Sequence, residues 1–319
     1  MLTADALARH PAVFPSLFGV TAAELETLFA DYEAARDRRR AASRTTRAGT
    51  PRVRKVGGGD TPKLDGRTQL LLALFWLRVY PTYEVLGFSF ALHETNARHT
   101  ARAVLAVLAV LRTLDDFPLD DPDPATRTPV GKADPVMAAF PEVRLVIDGK
   151  EQRTERPKGY AAQKPYYSGE KKAHTLKSQV GVAPNGRIES VSDSYPGSTH
   201  DLTVLRLTES VGRLPAGAGA MMDEGYVGIG RDHPDRPLVI PAEAVRNRPL
   251  TDEQKAGNRV IASHRIVVEH ALAQLNRFEV LTQTYRHRRD EHGAVVRAVA
   301  VLVNRRTAFT PLKTYPPAP

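Results

Sequence analysis

The stretch VRLVIDG, residues 143–149, sets the apolar side chains Val143, Leu145, Val146 and Ile147 ahead of an aspartate and a glycine. Such a run suits a strand buried in a sheet, where an ionised carboxylate is costly unless its charge is met. Asp148 therefore asks for a cationic partner.

Downstream the pattern continues as strands. AHTLKSQVGVAP (173–184) is a second strand, Asn185-Gly186 a hairpin turn, and RIESVSDSYPG (187–197) a third strand. THDLTVLRLTESV (199–211) is helical in pattern with Thr199 as N-cap, and AGAMMDEGY (218–226) and RPLVIPAE (236–243) suit short strands. HRIVVEHALAQLNRFEVLTQ (264–283) predicts a helix with Ile266, Leu272 and Leu275 on its apolar side, and AVVRAVAVLVNRRTAF (294–309) a last one. Three antiparallel strands, a helix, a fourth strand and further helices follow an RNase H-like order. The fold class expected is mixed α/β.

Upstream the pattern is helical. Residues 1–35 carry a capping box, Thr21 with Glu24, ahead of Leu25, Leu28 and Phe29. From Arg36 to Lys55 nine basic residues face one acid, Asp37, before GGGD at 57–60. A mobile linker and a phosphate-contacting arm are both open readings of that run. Residues 67–113 predict a helix ended by Pro81, a short helix capped by Thr82 and ended by Gly87, and a longer third helix. That succession is a helix-turn-helix pattern, with Thr95, Asn96, Arg98, His99 and Arg102 where a recognition helix meets base edges. A plain helical bundle is the alternative. The acidic, proline-rich LDDFPLDDPDPATRTP (114–129) marks a boundary. The expected division is a helical DNA-binding domain over 1–115 with its basic linker at 36–60, a linker at 116–140, and a nuclease domain over 141–319.

Composition narrows the partners. In 319 residues, 45 Lys and Arg outweigh 36 Asp and Glu, for a formal charge of +9 and a pI near 9.8. That balance suits a polyanion, nucleic acid before an acidic membrane. The absence of cysteine excludes disulfides, thiolate-bound zinc and thiol catalysis. LLLALFWL (70–77) and AVLAVLAVL (103–111) fall short of the ~20 residues that span a bilayer. A soluble intracellular chain is expected, cytoplasmic and associated with the nucleoid in a prokaryote.

In the strand order above, Asp148 ends the first strand, Asp223 the fourth, and Glu269 lies on the later helix. Three carboxylates brought together repel unless a cation neutralises them. Oxygen donors select Mg²⁺ or Mn²⁺, and two such ions ~3.5–4 Å apart would serve in-line phosphoryl transfer. Taken singly, each acid has an ordinary explanation: Asp148 and Asp223 as turn formers, Glu269 as a surface partner of Arg265.

Five segments in order, VIDGKEQRTERP, YYSGEKKAHTLKSQV, SDSYPGSTHDLTVL, MDEGY and HRIVVEHALAQLNRF, resemble the DDE-superfamily transposases of the IS5 insertion-sequence group and the related Harbinger-type nucleases. The resemblance runs from about Val143 to Phe278, and residues 67–113 resemble the helix-turn-helix that precedes the nuclease in that family. It implies an RNase H-like fold, two divalent metal ions and DNA cleavage followed by strand transfer. The partners it implies are double-stranded DNA, as transposon ends and target, and further copies of the chain on that DNA; no membrane is involved. Carried over by motif, Asp148, Asp223 and Glu269 are the catalytic, metal-binding acids, and Asp201 of PGSTHD is a fourth acid near the metals. Between Asp201 and Asp223 as second ligand, strand order favours Asp223.

Some positions depart from the family pattern. Of its tyrosine-arginine-glutamate-lysine array, Arg265 fits the arginine, but Ala262 stands for the tyrosine and Asn276 for the lysine, with Arg277 one residue beyond. Lys150 stands where a small residue is usual, either against the cut strand or exposed. Lys164, Lys171, Lys172 and Lys177, with His174, Tyr166 and Tyr167, suit phosphate and base contacts or an exposed polar hairpin. YRHRRDEH (285–292) is expected to solvate a helix connection. His200 is either a proton shuttle or structural.

The function expected is that of a transposase that binds terminal inverted repeats through its N-terminal domain. The alternatives are a non-catalytic or domesticated DNA-binding protein on a nuclease scaffold, and an RNase H-like nuclease that does not transpose.

Overall fold

A computed structural model describes residues 9–42, 63–109, 139–244 and 248–309, together with Leu2 and Leu7. The acidic stretch at 114–129 and most of the basic one at 36–60 lie outside them. The chain divides into two compact units: Met1–Thr113 with Arg277–Val280, and Leu114–Asn276 with Leu281–Pro319.

The first unit is helical. Helix α1 is Phe14–Phe18, and α2 is Ala22–Ala42. The capping box before α2 forms: the Glu24 amide donates to Thr21 Oγ1 at 3.2 Å and the Thr21 amide to Glu24 Oε2 at 2.5 Å. The helix runs past residue 35 and takes in the start of the basic run, where Arg36 pairs with Glu33 at 3.0 Å. Helix α3, Gly66–Val79, is capped by Asp65, and its residues Leu70 to Leu77 are all buried. A helix apolar on every side is the centre of its bundle. It ends at Tyr80, in the left-handed conformation at φ 52°, just before Pro81.

Thr82 caps α4, Tyr83–Ser89. Contrary to expectation, α4 passes through Gly87 rather than ending there. This glycine serves a close approach: a Cβ on it would lie 2.6 Å from the Leu92 carbonyl oxygen. After the turn, α5 is Glu94–Leu108; it buries Ala97, Ala101, Val104, Leu105 and Leu108 and leaves Thr95, Asn96, Arg98 and His99 exposed. The unit is a helix-turn-helix.

In the second unit, β1 is Val143–Arg153, β2 Tyr167–Ser168, β3 Ala173–Val182, β4 Ile188–Val191, β5 Tyr195–Pro196, β6 Gly219–Met221 and β7 Leu238–Val239. The sheet order is β2-β3-β1-β6-β7, with β4 and β5 also paired to β3. Strand β1 is antiparallel to β3 and parallel to β6, and β7 is parallel to β6. The Asn185-Gly186 turn forms, with Gly186 at φ 87°. The expected third strand is split into β4 and β5, and Ser194 between them meets His292 Nδ1 at 2.6 Å.

Helix α6 is Asp201–Thr208; its N-cap is His200, not Thr199. Helix α7, Asp252–Leu275, starts well before the stretch that predicted it, on a capping box of Thr251 and Gln254. Its first half is exposed and carries no apolar stripe, so periodicity gave no signal there. Ile266 is 49% exposed, whereas Val268, Ala271 and Leu275 are buried. Helix α8 is His292–Phe309. Leu145 and Ile147 of β1 pack with Leu205, Val211, Met222 and Tyr226 in a core beside the sheet. This is a mixed α/β, RNase H-like domain. Among the described residues no single helix is long and apolar enough to cross a membrane.

Candidate active site

Parallel pairing of β1 and β6 sets Val146 against Met221. Two residues further along each strand direction stand Asp148, inside β1, and Asp223, just past the end of β6, so strand register brings these two acids side by side. The expectation that Asp148 ends its strand is corrected, since β1 stays paired with β3 as far as Arg153. Asp201, first residue of α6, reaches in between: a Cβ on Gly149 would lie 2.8 Å from Asp201 Oδ1, and one on Gly225 would lie 3.7 Å from Asp201 Oδ2. Glu269 is exposed on α7 and lines, with Asp148, Asp201 and Asp223, one open cavity of about 750 Å³. The four predicted acids, far apart in the chain, are thus brought together.

Two of the basic residues expected on DNA are placed otherwise. Lys177 is buried and its ammonium lies 3.2 Å from Asp201 Oδ1. Arg265 is half-buried, with Nη2 3.3 Å from Asp148 Oδ2 and 4.0 Å from Asp223 Oδ2. Both cations pair with acids instead of facing solvent, and Arg265 turns inward to Asp148 and Asp223 rather than making the surface pair with Glu269 that was the ordinary alternative. The sequence concealed this because Arg265 and Glu269, four apart on a helix, share a face that turns out to look into the cavity. Lys164, Lys171 and Lys172 are exposed, and Lys171 pairs with Glu170 at 2.6 Å. The Tyr166 ring is covered by the Arg289 guanidinium at 4.9 Å, while Tyr167 is 46% exposed. His200 is exposed. Asn96 and Arg98 are exposed on α5, Arg102 half-buried, and Arg277 falls with the helical unit.

Electrostatics follow from this crowding. Burial pushes the Asp148 carboxyl up to about 6; Arg265 and the Gly149 amide pull it down, and the charges of Asp223 and Glu269 push it up again. Asp223 is also raised, by burial first and then by Asp201 and Glu224 against the pull of Arg265. Tyr226, buried beneath the acids, is raised by burial and by Asp201, Asp148 and Asp223.

Four carboxylates without sulfur form a donor set for a hard divalent cation. Among the described residues no three of them close around one point, and Arg265 and Lys177 pair with Asp148 and Asp201. The donor chemistry, the open cavity and the raised carboxyls fit such an ion.

Lys150 is buried, and burial lowers its pKa to about 8. Its ammonium donates to Asn276 Oδ1 at 2.5 Å and to the Leu281 carbonyl at 3.2 Å. A lysine on β1 thereby puts its charge beside the position where the resembled array carries one on the helix.

Sequence reasoning missed a second buried group. His292, expected in a solvated connection, is 1% exposed. Its Nε2 meets Gln152 Oε1 at 2.8 Å and its Nδ1 meets Ser194 Oγ at 2.6 Å. The Gln152 amide nitrogen donates to the Gln283 carbonyl, so its oxygen faces His292 and the imidazole proton sits on Nε2.

A helix-turn-helix followed by an RNase H-like domain with four acids in one cavity defines a class, the nucleases of the DDE type. Residues 147–304 match the family model described as DDE superfamily endonuclease, and residues 62–113 match that of the helix-turn-helix of DDE superfamily endonuclease. Over these residues the chain is similar to DDE superfamily endonucleases and to the helix-turn-helix that accompanies them. Over 251 residues it is 28% identical to a Microchaete diplosiphon protein described as a probable transposase for insertion sequence element IS702, an alignment covering 79% of this chain and 84% of that one. No solved structure matches the chain.

Proposed function

We propose that this protein is the transposase of an insertion sequence, of the IS5 and Harbinger kind, which binds its element's terminal repeats and cuts and joins DNA there. One observation carries the reading: strand register, α6 and α7 converge Asp148, Asp223, Asp201 and Glu269 on one cavity. Catalysis is assigned to Asp148, Asp223 and Glu269, with Asp201 beside them. These acids would hold two Mg²⁺ or Mn²⁺ ions, which supply the charge that activates an attacking oxygen and stabilises the leaving one.

The chain's other residues set this up. Arg265 keeps Asp148 and Asp223 from repelling each other, and Lys177 orients Asp201. Lys164, Lys171 and Lys172 hold backbone phosphates near the cavity mouth, while Asn96, Arg98 and Arg102 of α5 read the end sequence. Two element ends are processed together, which calls for more than one copy of the chain on DNA.

The test is Mg²⁺-dependent nicking of duplex DNA carrying an element end. Wild-type protein nicks, and Asp148→Ala and Glu269→Gln proteins do not. Nicking that survives both substitutions removes the site assignment. Binding without nicking by the wild type would leave a DNA-binding protein on a nuclease scaffold, and preference for RNA hybrids a non-transposing nuclease.

A further inference from the structure

On β1, Lys150 lies two residues beyond Asp148, so both side chains leave the strand on the same face and line the same cavity. Three other cations in that lining have carboxylate partners, Lys177 with Asp201, Arg265 with Asp148 and Lys171 with Glu170, and the fourth, Arg153, is exposed to solvent. Lys150 is buried with neutral acceptors only, Asn276 Oδ1 and the Leu281 carbonyl. Among the described residues no carboxylate comes within 4.0 Å of it. An ammonium has three donors, so one remains for a further acceptor. A buried charge without a counter-charge is costly and awaits one.

Docking the neighbouring chain does not explain that charge. Gln152 donates to the Gln283 carbonyl and Thr154 to the Tyr285 carbonyl, so Lys150 on Leu281 is the first of three evenly spaced rungs. The other two rungs use neutral side chains. Only the rung nearest the acids is charged.

We propose that Lys150 is the anion seat of this cavity, holding a backbone phosphate of the DNA strand that is cut. This rests on the nuclease reading above and assigns that site a strand-positioning residue on β1.

The experiment uses the full chain and Lys150→Gln, which keeps a donor for the rung and drops the charge. In EDTA, where no cutting occurs, Lys150→Gln should bind end-containing duplex about tenfold more weakly at low salt. Its slope of log affinity against log salt should be shallower by about 0.9, the release of one counterion. A methylphosphonate scan of the duplex should find one position where the neutral linkage weakens the wild type and leaves Lys150→Gln unaffected. Its melting temperature should equal or exceed the wild type's, whereas a merely structural lysine would lower it. Unchanged affinity and slope, or equal sensitivity of both proteins at every linkage, overturns the proposal.

Pyrophosphate provides the arm that needs neither DNA nor a folded variant: it should raise the wild-type melting temperature, and no rise overturns the seat. If pyrophosphate stabilises the wild type but not Lys150→Gln while the wild type neither binds nor nicks DNA, the seat stands and the nuclease reading falls.

Discussion

Gly149 and Asp201 meet so closely that a Cβ on the glycine would stand 2.8 Å from the Asp201 carboxylate. The obstructing atom is the free end of a side chain, so Gly149→Ala is accommodated by moving the carboxylate rather than the strand. We expect a melting temperature near that of the wild type and a nicking rate lower by about 100-fold, the cost of a misplaced group. Single-turnover nicking alongside thermal melting checks this. Full activity would show that Asp201 takes no part in the reaction.

Asp148 makes the cation-free protein sensitive to pH. Its folded pKa, about 6, lies above the 3.8 of a free aspartate carboxyl. Its contribution to stability is therefore full below pH 3.8 and is lost as pH rises through 6. With a side chain 14% exposed, the loss by pH 8 is on the order of 2 kcal/mol. Asp148→Asn should accordingly melt above the wild type at pH 8 in EDTA, with the gap closing toward pH 4. Mg²⁺ should raise the wild type more than the variant. A gap that is constant with pH would remove the buried carboxylate as its cause.

His292 acts in the opposite direction. Burial, with the Lys150 charge adding to it, lowers its pKa to about 3. It stays neutral in the fold while the unfolded chain takes up a proton below about 6.5. Stability from this group is present above pH 6.5 and lost progressively as pH falls toward 3, at about 1.4 kcal/mol per unit. Unfolding free energies for the wild type and His292→Gln between pH 6.5 and 4.5 should differ in slope by one proton. Parallel slopes would place the imidazole in contact with water.

Much of this arrangement was legible in the sequence where a local rule applied. The apolar run before Asp148, the Thr21–Glu24 box and the Asn185-Gly186 turn follow from patterns a few residues long, whereas Asp148, expected to end its strand, lies inside β1, which continues to Arg153 through its pairing with β3. What escaped depends on tertiary contacts. The first half of α7 is polar and exposed, so its start at Asp252 rests on a cap without periodicity. The inward turn of Lys177, Arg265 and His292 needs partners that lie 24, 117 and 140 residues away. Basic residues near a cluster of acids invite a phosphate assignment, yet two of these pair with the acids themselves.

Asn96 and Arg98 are exposed in the first turns of α5, capped by His93, whose Nδ1 accepts from the Thr95 amide at 3.3 Å. Ala97 and Ala101 hold the opposite side of the helix in the core. Substituting an exposed residue here leaves the packing intact, so effects on DNA report contact rather than folding. If α5 lies in the major groove, Arg98→Ala and Asn96→Ala should each cost about 1–3 kcal/mol of binding to the end sequence. Binding to a scrambled duplex should change far less. Lys171→Ala and Lys172→Ala, by contrast, should weaken both duplexes alike and make the salt slope shallower by about one. Anisotropy titrations at two salt concentrations separate these patterns. Equal losses on both duplexes for Arg98→Ala would reduce α5 to a phosphate clamp and move sequence reading elsewhere in the chain.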